Sequence, residues 1–181
     1  VILENIAAFK YGSGRDLSGY EDGTENPKGA EASAAAFVKG GAWAGSSFVA
    51  TQRWIHDIPL FQHIDEAGRD AIIGRRHRDN EEIADAPRSA HVKRAAQESF
   101  SPSAFMLRRS MPYGTTTENG LYFVAFGADL DRYERVLFRM LGRDDGIEDG
   151  LFRFSRPVSG GYYWCPPVQD RKLRLPTLAA G

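Results

Sequence analysis

The chain has 181 residues, of which 42% are hydrophobic and 26% charged, and its formal net charge is −1. This length predicts about one domain, and an aromatic content of 12% is too high for a chain that cannot form a core. The balanced charge argues against a nucleic-acid-binding protein, and no apolar run reaches the roughly 18 residues that a membrane span needs. A single cysteine excludes an internal disulfide and a cysteine-only metal site, so we expect a reducing, cytoplasmic location.

The hydrophobic periodicity predicts alternating strands and helices after a leading segment rich in glycine. The last helix carries the clearest end signals, because Asp129 can cap its start and Gly142 can end it. In chain order we predict a helix over 30–39, a strand over 47–55, a helix over about 57–73, a polar loop over 74–90, a helix-like run over 92–99, strands over 104–111 and 121–126, a helix over 130–141 and a strand over 159–165.

The order of the main elements is β-α-β-β-α-β, which is the ferredoxin-like pattern. It predicts an α+β domain with a four-stranded antiparallel sheet and both helices on one face. The other face must then be covered by another domain, a partner chain or a ligand. We expect a leading segment over 1–45, the domain over 46–168 and a tail over 169–181. Because the chain begins at Val1 without methionine or a signal peptide, we also expect it to be the interior of a longer protein.

Several common sites are missing from the sequence. It contains no HExxH, GxGxxG, Walker or GxSxG motif. The absence of CxxCH excludes covalently attached c-type haem. The chemistry must therefore come from less regular constellations.

Three windows hold the candidate functional residues. Asp22 lies among glycines in Gly-Tyr-Glu-Asp-Gly, which indicates either a double turn or a carboxylate held against a ligand. His91 follows a polar loop and is either a surface histidine near a helix start or a lone imidazole ligand of a haem iron. Arg108 and Arg109 are adjacent in an apolar strand, where charge can protect an edge or bind an anionic partner. Strand alternation puts Arg108 on the face of Met106 and Ser110.

Taken together, these windows resemble the dye-decolourising (DyP-type) haem peroxidases, in particular the bacterial B-type group. Residues 19–23 and the Asn-Pro that follows are similar to that family's GxxDG signature. Residues 89–94 resemble the segment around its proximal histidine, and residues 107–114 resemble its distal-arginine strand. The motifs occur in the family's order, at about its spacing, over roughly residues 15–168.

The resemblance implies a role for each matching residue. His91 would be the axial ligand of one non-covalent haem b per chain, and Asp149 would accept a hydrogen bond from its other ring nitrogen. Asp22 and Arg108 would form the distal pair. Further contacts with the cofactor are implied for Gly23, Thr24, Arg75, Ser110, Leu121 and Phe123, with Arg75 as the candidate partner of a haem propionate.

The implied activity is the use of hydrogen peroxide to oxidise dyes and phenolic aromatics by one-electron steps. Asp22 would act as general base and then as general acid, while Arg108 would stabilise developing negative charge. Family members have two tandem ferredoxin-like halves with haem between them, and this chain resembles the linker and the C-terminal half. A missing N-terminal half and a homo-oligomer are therefore expected.

Two other functions remain open from the sequence. One is a haem-binding or haem-handling module without peroxidase turnover, because half of the family's architecture is missing. The other is a structural ferredoxin-like module that pairs through its open sheet face.

Overall fold

The computed structural model describes residues 5–175, and Val1 to Glu4 and the residues from 176 onward lie outside that part. The helices are α1 (Gly29–Ala36), α2 (Ile58–His63), α3 (Glu66–Ile73), α4 (His91–Arg94) and α5 (Asp131–Met140), and the strands are β1 (Ser47–His56), β2 (Leu107–Gly114), β3 (Asn119–Gly127), β4 (Ser155–Cys165), β5 (Val168–Gln169) and β6 (Lys172–Leu173). Among residues 5–175, none of the helices has the length and hydrophobicity needed to cross a bilayer.

The main sheet has four strands in the order β2-β3-β1-β4, and every neighbouring pair is antiparallel. The central strand β1 pairs with both β3 and β4, so that Ala50 lies between Ala125 and Tyr162. This order and the helical connections after β1 and β3 are those of the ferredoxin-like fold. The predicted fold class is therefore confirmed.

The helix predicted over 57–73 is wrong in one respect, because it consists of two helices. Ile64 is extended, with φ −77° and ψ 135°, and Asp65 then caps α3 by accepting a hydrogen bond from the amide of Gly68 at 2.8 Å. Asp57 caps α2 in the same way through the amide of Leu60. The apolar spacing continues across the break, so periodicity alone does not reveal it.

Helix α5 confirms the predicted end signals. The side chain of Asp129 accepts a hydrogen bond from the amide of Arg132 at 3.1 Å. At the other end Gly142 has φ +66°, and the amide of Arg143 donates to the carbonyl of Phe138 at 3.0 Å. That bond and the left-handed glycine form a Schellman motif, which satisfies carbonyls that the helix leaves free.

Other predicted boundaries shift by a few residues. The run predicted as helical over 92–99 is the single turn of α4 followed by a 3₁₀ turn, Gln97–Ser99. The predicted helix over 30–39 ends at Ala36, the strand over 104–111 starts at Leu107, and the strand over 159–165 starts at Ser155. The predicted tail begins within a small hairpin formed by β5 and β6.

The sheet has one face covered by helices, the helix face, and one largely bare face, the open face. The core lies on the helix face, where Trp54 and Ala125 of the sheet and Met106, just before β2, pack against Tyr133 and Met140 of α5. Side chains at the alternate positions of the strands point to the open face. Arg109 and Met111 are exposed there, and Met111 is 51% exposed.

A glycine in β3 gives the first prediction, on stability. A Cβ at Gly120 would lie 1.8 Å from the carbonyl oxygen of Trp54, an approach that only backbone movement could relieve. We expect Gly120→Ala to lower the free energy of unfolding by about 3 kcal/mol or more, measured by urea denaturation. The control is Gly40→Ala, because a Cβ there meets nothing within 4 Å and should change stability by less than about 0.5 kcal/mol. Equal unfolding midpoints for the two variants would contradict this close approach.

Candidate active site

A deep cleft lies between the helix face of the sheet and helices α4 and α5. We call it the inner cleft; its enclosed volume is about 140 Å³, and it opens to solvent at its mouth. Most of its wall is apolar, and its polar groups converge from separate elements. The predicted site residues on this wall are Asp22, His91, Arg108, Ser110, Leu121 and Phe123.

A second, polar cleft adjoins the inner cleft. Its wall includes the predicted residues Gly23, Thr24 and Arg75, together with Lys93 and Glu82. Among the residues on the walls of both clefts are the predicted site residues Asp22, His91 and Arg108. The predicted ligand, acid–base and cationic residues therefore lie where an apolar space meets a polar one.

The His91 ring is held by a buried carboxylate. Its Nδ1 donates a hydrogen bond to Asp149 Oδ2 at 2.8 Å, and the other carboxylate oxygen accepts from the amide of Leu151 at 2.8 Å. No hydrogen bond joins Nε2 of His91 to another described residue, and the side chain is 31% exposed. Although burial opposes protonation, the charge of Asp149 and its hydrogen bond raise the pKa of His91. The ring thus presents one free nitrogen to the cleft.

Arg94 fixes the segment that brings Asp149 to His91. Its guanidinium is buried and donates to both carboxylate oxygens of Asp145 at 2.8 Å, and to Asp144 at 3.1 Å and the carbonyl of Arg139 at 2.5 Å. Because Arg94 lies in α4 with His91, these bonds connect α4 to the loop after α5. The amide of Asp149 also donates to the carbonyl of Met140 at 2.8 Å, which closes that loop.

The Arg94 contacts give a pH prediction. Hydrogen bonds from Arg94 hold the pKa of Asp145 at about 2, below its ordinary value of 3.8. Since the folded-state pKa is the lower one, this stabilisation is complete above about pH 4 and is lost as the pH falls through about 2. We expect Tm to fall less steeply over this range in Asp145→Asn than in the unmodified chain, measured by circular dichroism. The control is Asp85→Asn, because Asp85 is exposed and has no ion pair among the described residues. If the Tm of Asp145→Asn fell with pH as steeply as that of the unmodified chain, the prediction would be refuted.

Arg108 faces His91 across the cleft from the edge strand β2. No hydrogen bond or ion pair joins its guanidinium to another described residue. Burial lowers the pKa of Arg108, although the charges of Asp22, Glu25 and Glu98 oppose that shift. Its neighbour Arg109 points to the open face, so the predicted alternation is confirmed. A cation without a bonded partner can stabilise negative charge on a bound molecule.

Asp22 reaches the same place from an irregular segment. Its amide donates to the carbonyl of Gly14 at 3.2 Å, and Gly23 after it has φ +72°, which a residue with a side chain rarely adopts. The carboxylate is exposed and borders both clefts. The predicted turns around Asp22 are thus present, and the contact of its carboxylate with a ligand stays a prediction.

Arg75 already has protein partners. Its guanidinium donates to the carbonyl of Asn80 at 2.7 Å, forms an ion pair with Glu25 and lies 3.5 Å from Glu82. It borders the polar cleft, but a ligand carboxylate there would compete with these two glutamates. Its suggested role toward a propionate remains a hypothesis.

Sequence reasoning missed a buried polar chain beside the inner cleft. His56 Nε2 lies 3.1 Å from Asp16 Oδ1, and His56 Nδ1 lies 2.7 Å from Ser155 Oγ. Although burial opposes ionisation, the hydrogen bond and charge of His56 lower the pKa of Asp16. Tyr20, also on the wall, donates to Asp70. These partners are far apart in the chain, so no local pattern could have paired them.

Both clefts lie on the helix face of this chain's own sheet and have the predicted residues on their walls. The position of haem between two halves, which the resemblance implied, stays a prediction. The open face points away from the inner cleft. A second half is therefore not needed to bring the predicted residues together.

The sheet, its helices and this cleft define a ferredoxin-like domain in which one cleft histidine, His91, has a ring nitrogen without a hydrogen bond to a described residue. A family model described as the C-terminal part of Dyp-type peroxidases matches residues 13–170. The chain therefore belongs to the DyP-type peroxidase family, as the motifs indicated.

Known relatives extend well beyond this chain. It is 30% identical to a dye-decolorizing peroxidase of Mycobacterium tuberculosis, over 99% of the chain and 58% of that protein. A dye-decolorizing peroxidase of Rhodococcus erythropolis is 32% identical, over 91% of the chain and 51% of that protein. The chain thus spans about half the length of these relatives.

Solved structures show the same correspondence. A dye-decolorizing protein from Vibrio cholerae superposes with a TM-score of 0.85 at 34% identity, over 91% of this chain and 56% of that one. A DypB variant from Rhodococcus jostii in complex with haem superposes with a TM-score of 0.85 at 28% identity, over 92% of this chain and 56% of that one. The fold of this chain is thus that of the corresponding half of these proteins.

Proposed function

We propose that this chain is the haem-ligating half of a DyP-type peroxidase, in which His91 would hold the iron of one non-covalent haem b. The observation that carries the proposal is the His91 ring, which is backed by buried Asp149 and leaves Nε2 free in the cleft. Metal-bound histidines commonly have a carboxylate behind them, which fixes the ring and raises its basicity. The relative from Rhodococcus jostii in complex with haem supports the choice of cofactor.

The residues present fit a haem group. Haem has an apolar macrocycle and charged propionates at one edge, and the apolar inner cleft adjoins the polar cleft at His91. Among residues 5–175 no cluster of three or more His, Cys, Asp or Glu could hold a bare metal ion. One histidine suffices when a porphyrin supplies the other ligands. Lys93 and Arg75 lie on the polar side, where a propionate would need a cation.

We infer the following roles for the residues opposite His91. Haem, when bound, supplies the iron centre that takes up the two oxidising equivalents of hydrogen peroxide. Asp22 accepts a proton from one peroxide oxygen and returns it to the oxygen that leaves as water. Arg108 stabilises the negative charge that develops on the departing oxygen. Aromatic molecules such as phenols and dyes would then be the one-electron donors.

The experiment mixes the chain with haemin and follows the Soret band, then adds hydrogen peroxide and a dye. A one-to-one band and peroxide-dependent loss of dye colour would support the whole proposal. Binding without dye oxidation would support a haem-binding module without turnover. This is the second candidate function, because the chain covers only about half the length of its relatives. The absence of any saturable band would refute both.

We further propose that a second ferredoxin-like half covers the open face in the whole protein. The relatives carry roughly as much chain again, and exposed Met111 lies on that face. If the isolated chain instead sediments as a dimer that Met111→Arg dissociates, a second copy covers the face. A cytoplasmic location also remains a proposal. It rests on Cys165 being the chain's one cysteine, and localisation of a tagged protein would test it.

A further inference from the structure

We propose that Asn26 is a positioning residue that holds Asp22 in register with Arg108, an inference that rests on the proposed function. The carboxamide Nδ2 of Asn26 donates to the carbonyl oxygen of Arg108 at 2.7 Å. The amide of Arg108 donates in return to Asn26 Oδ1 at 2.8 Å. The side chain therefore forms both hydrogen bonds that a neighbouring strand residue would form at this point.

The location of these bonds in the sheet gives them their effect. Arg108 pairs with Ala125 of β3 on one side, and β2 is the edge strand. Its backbone groups on the outer side would otherwise face solvent. Asn26 occupies that edge at Arg108, whose side chain lies on the cleft wall. It therefore fixes the backbone from which the Arg108 guanidinium extends.

The same carboxamide is connected to Asp22. The amide of Asn26 donates to the carbonyl of Gly23 at 3.3 Å and closes a turn directly after Asp22. A Cβ at Gly23 would lie 3.1 Å from Asn26 Nδ2, so the backbone next to Asp22 packs against the carboxamide. A continuous set of contacts thus runs from Asp22 through Gly23 and Asn26 to Arg108.

The other contacts of Asp22 do not connect it to β2. Its amide bonds to Gly14, and Arg15 pairs with Glu21 next to it, all within the leading segment. Within residues 14–26, the hydrogen bonds to Arg108 that the structure shows are those of Asn26. A proton carrier and a charge stabiliser that act on one small molecule need a fixed geometry, and a displacement of about 1 Å can cost roughly 100-fold in rate.

The first test needs no cofactor. We expect the amide of Arg108 to be protected from hydrogen exchange in the unmodified chain and to exchange at least tenfold faster in Asn26→Ala, measured by NMR. The amide of Ala125 in the middle of β3 should keep its rate, which shows that the sheet is intact. The matched control is Asn80→Gly: Asn80 also bonds the leading segment, through Glu21, and its φ of 59° suits glycine. Unchanged exchange at Arg108 in Asn26→Ala would overturn the proposal.

The second test measures the reaction with peroxide after haemin is bound. Asn26→Ala should slow that reaction about 10- to 100-fold at unchanged haem affinity, and Asn80→Gly should not. In an Asp22→Asn, Arg108→Ala background the same Asn26→Ala change should cost less than twofold, because both groups that it positions are gone. A full slowdown in that background would refute a positioning role. If haem does not bind, the proposed function fails, whereas the exchange test still decides whether Asn26 secures Arg108.

Discussion

Replacing His91 with alanine is expected to abolish the one-to-one Soret band that the chain forms with haemin. Within the described residues, His91 and His56 are the histidines on the inner cleft wall, and both ring nitrogens of His56 are engaged by Asp16 and Ser155. No second free imidazole can therefore replace the lost ligand. The loss of haem affinity should exceed the roughly 10- to 100-fold loss that follows when a residue behind a metal ligand is replaced. An absorbance titration with haemin measures it.

Two further measurements separate ligand loss from misfolding. Added imidazole should restore the Soret band in His91→Ala, because the shorter side chain leaves room for it where the His91 ring lay. Asp149→Asn keeps the ligand but removes the charge behind it, so it should weaken haem binding about 10- to 100-fold and raise the iron reduction potential. A wild-type band in His91→Ala, with circular dichroism unchanged, would eliminate His91 as the ligand.

Much of the site could be predicted from local sequence. Period-two alternation in β2 separated Arg108 from Arg109 correctly, because a strand of eight residues has two defined faces. The ends of α5 could be predicted for a similar reason, since Asp129 and Gly142 act on backbone groups within a few residues of themselves. Signals of this kind depend on neighbours in the chain and need no tertiary information.

The parts that sequence could not provide depend on tertiary contacts. Alternation gives two faces of β2 but does not say which one the helices cover, so it could not place the cleft on the helix face. Asn26 and Arg108 are 82 positions apart, and His56 and Ser155 are 99 apart. The break before α3 was missed because the apolar spacing runs through it, while the cap at Asp65 acts on the backbone alone.

The largest expected effect on rate is that of the distal pair. Asp22→Asn cannot accept the peroxide proton and should slow the reaction with peroxide by about 10²- to 10⁴-fold. Arg108→Ala removes the unpaired guanidinium and should slow it by about 10²- to 10³-fold. Stopped-flow absorbance of the haem-loaded chain measures both rates, and haem affinity should stay within a few fold because neither side chain is the proposed ligand.

The control for this prediction is adjacent in the sequence. Arg109→Ala removes the same charge from the next residue, but its side chain lies on the open face, so its rate should match that of the unmodified chain. The slowing in the double variant of Asp22 and Arg108 should be smaller than the product of the two single slowings. The reason is that both groups act on the same small molecule and depend on each other's placement. Equal slowing by Arg108→Ala and Arg109→Ala would show that only overall positive charge matters. Wild-type rates in Asp22→Asn would mean that the proton leaves peroxide by a route that this carboxylate does not provide.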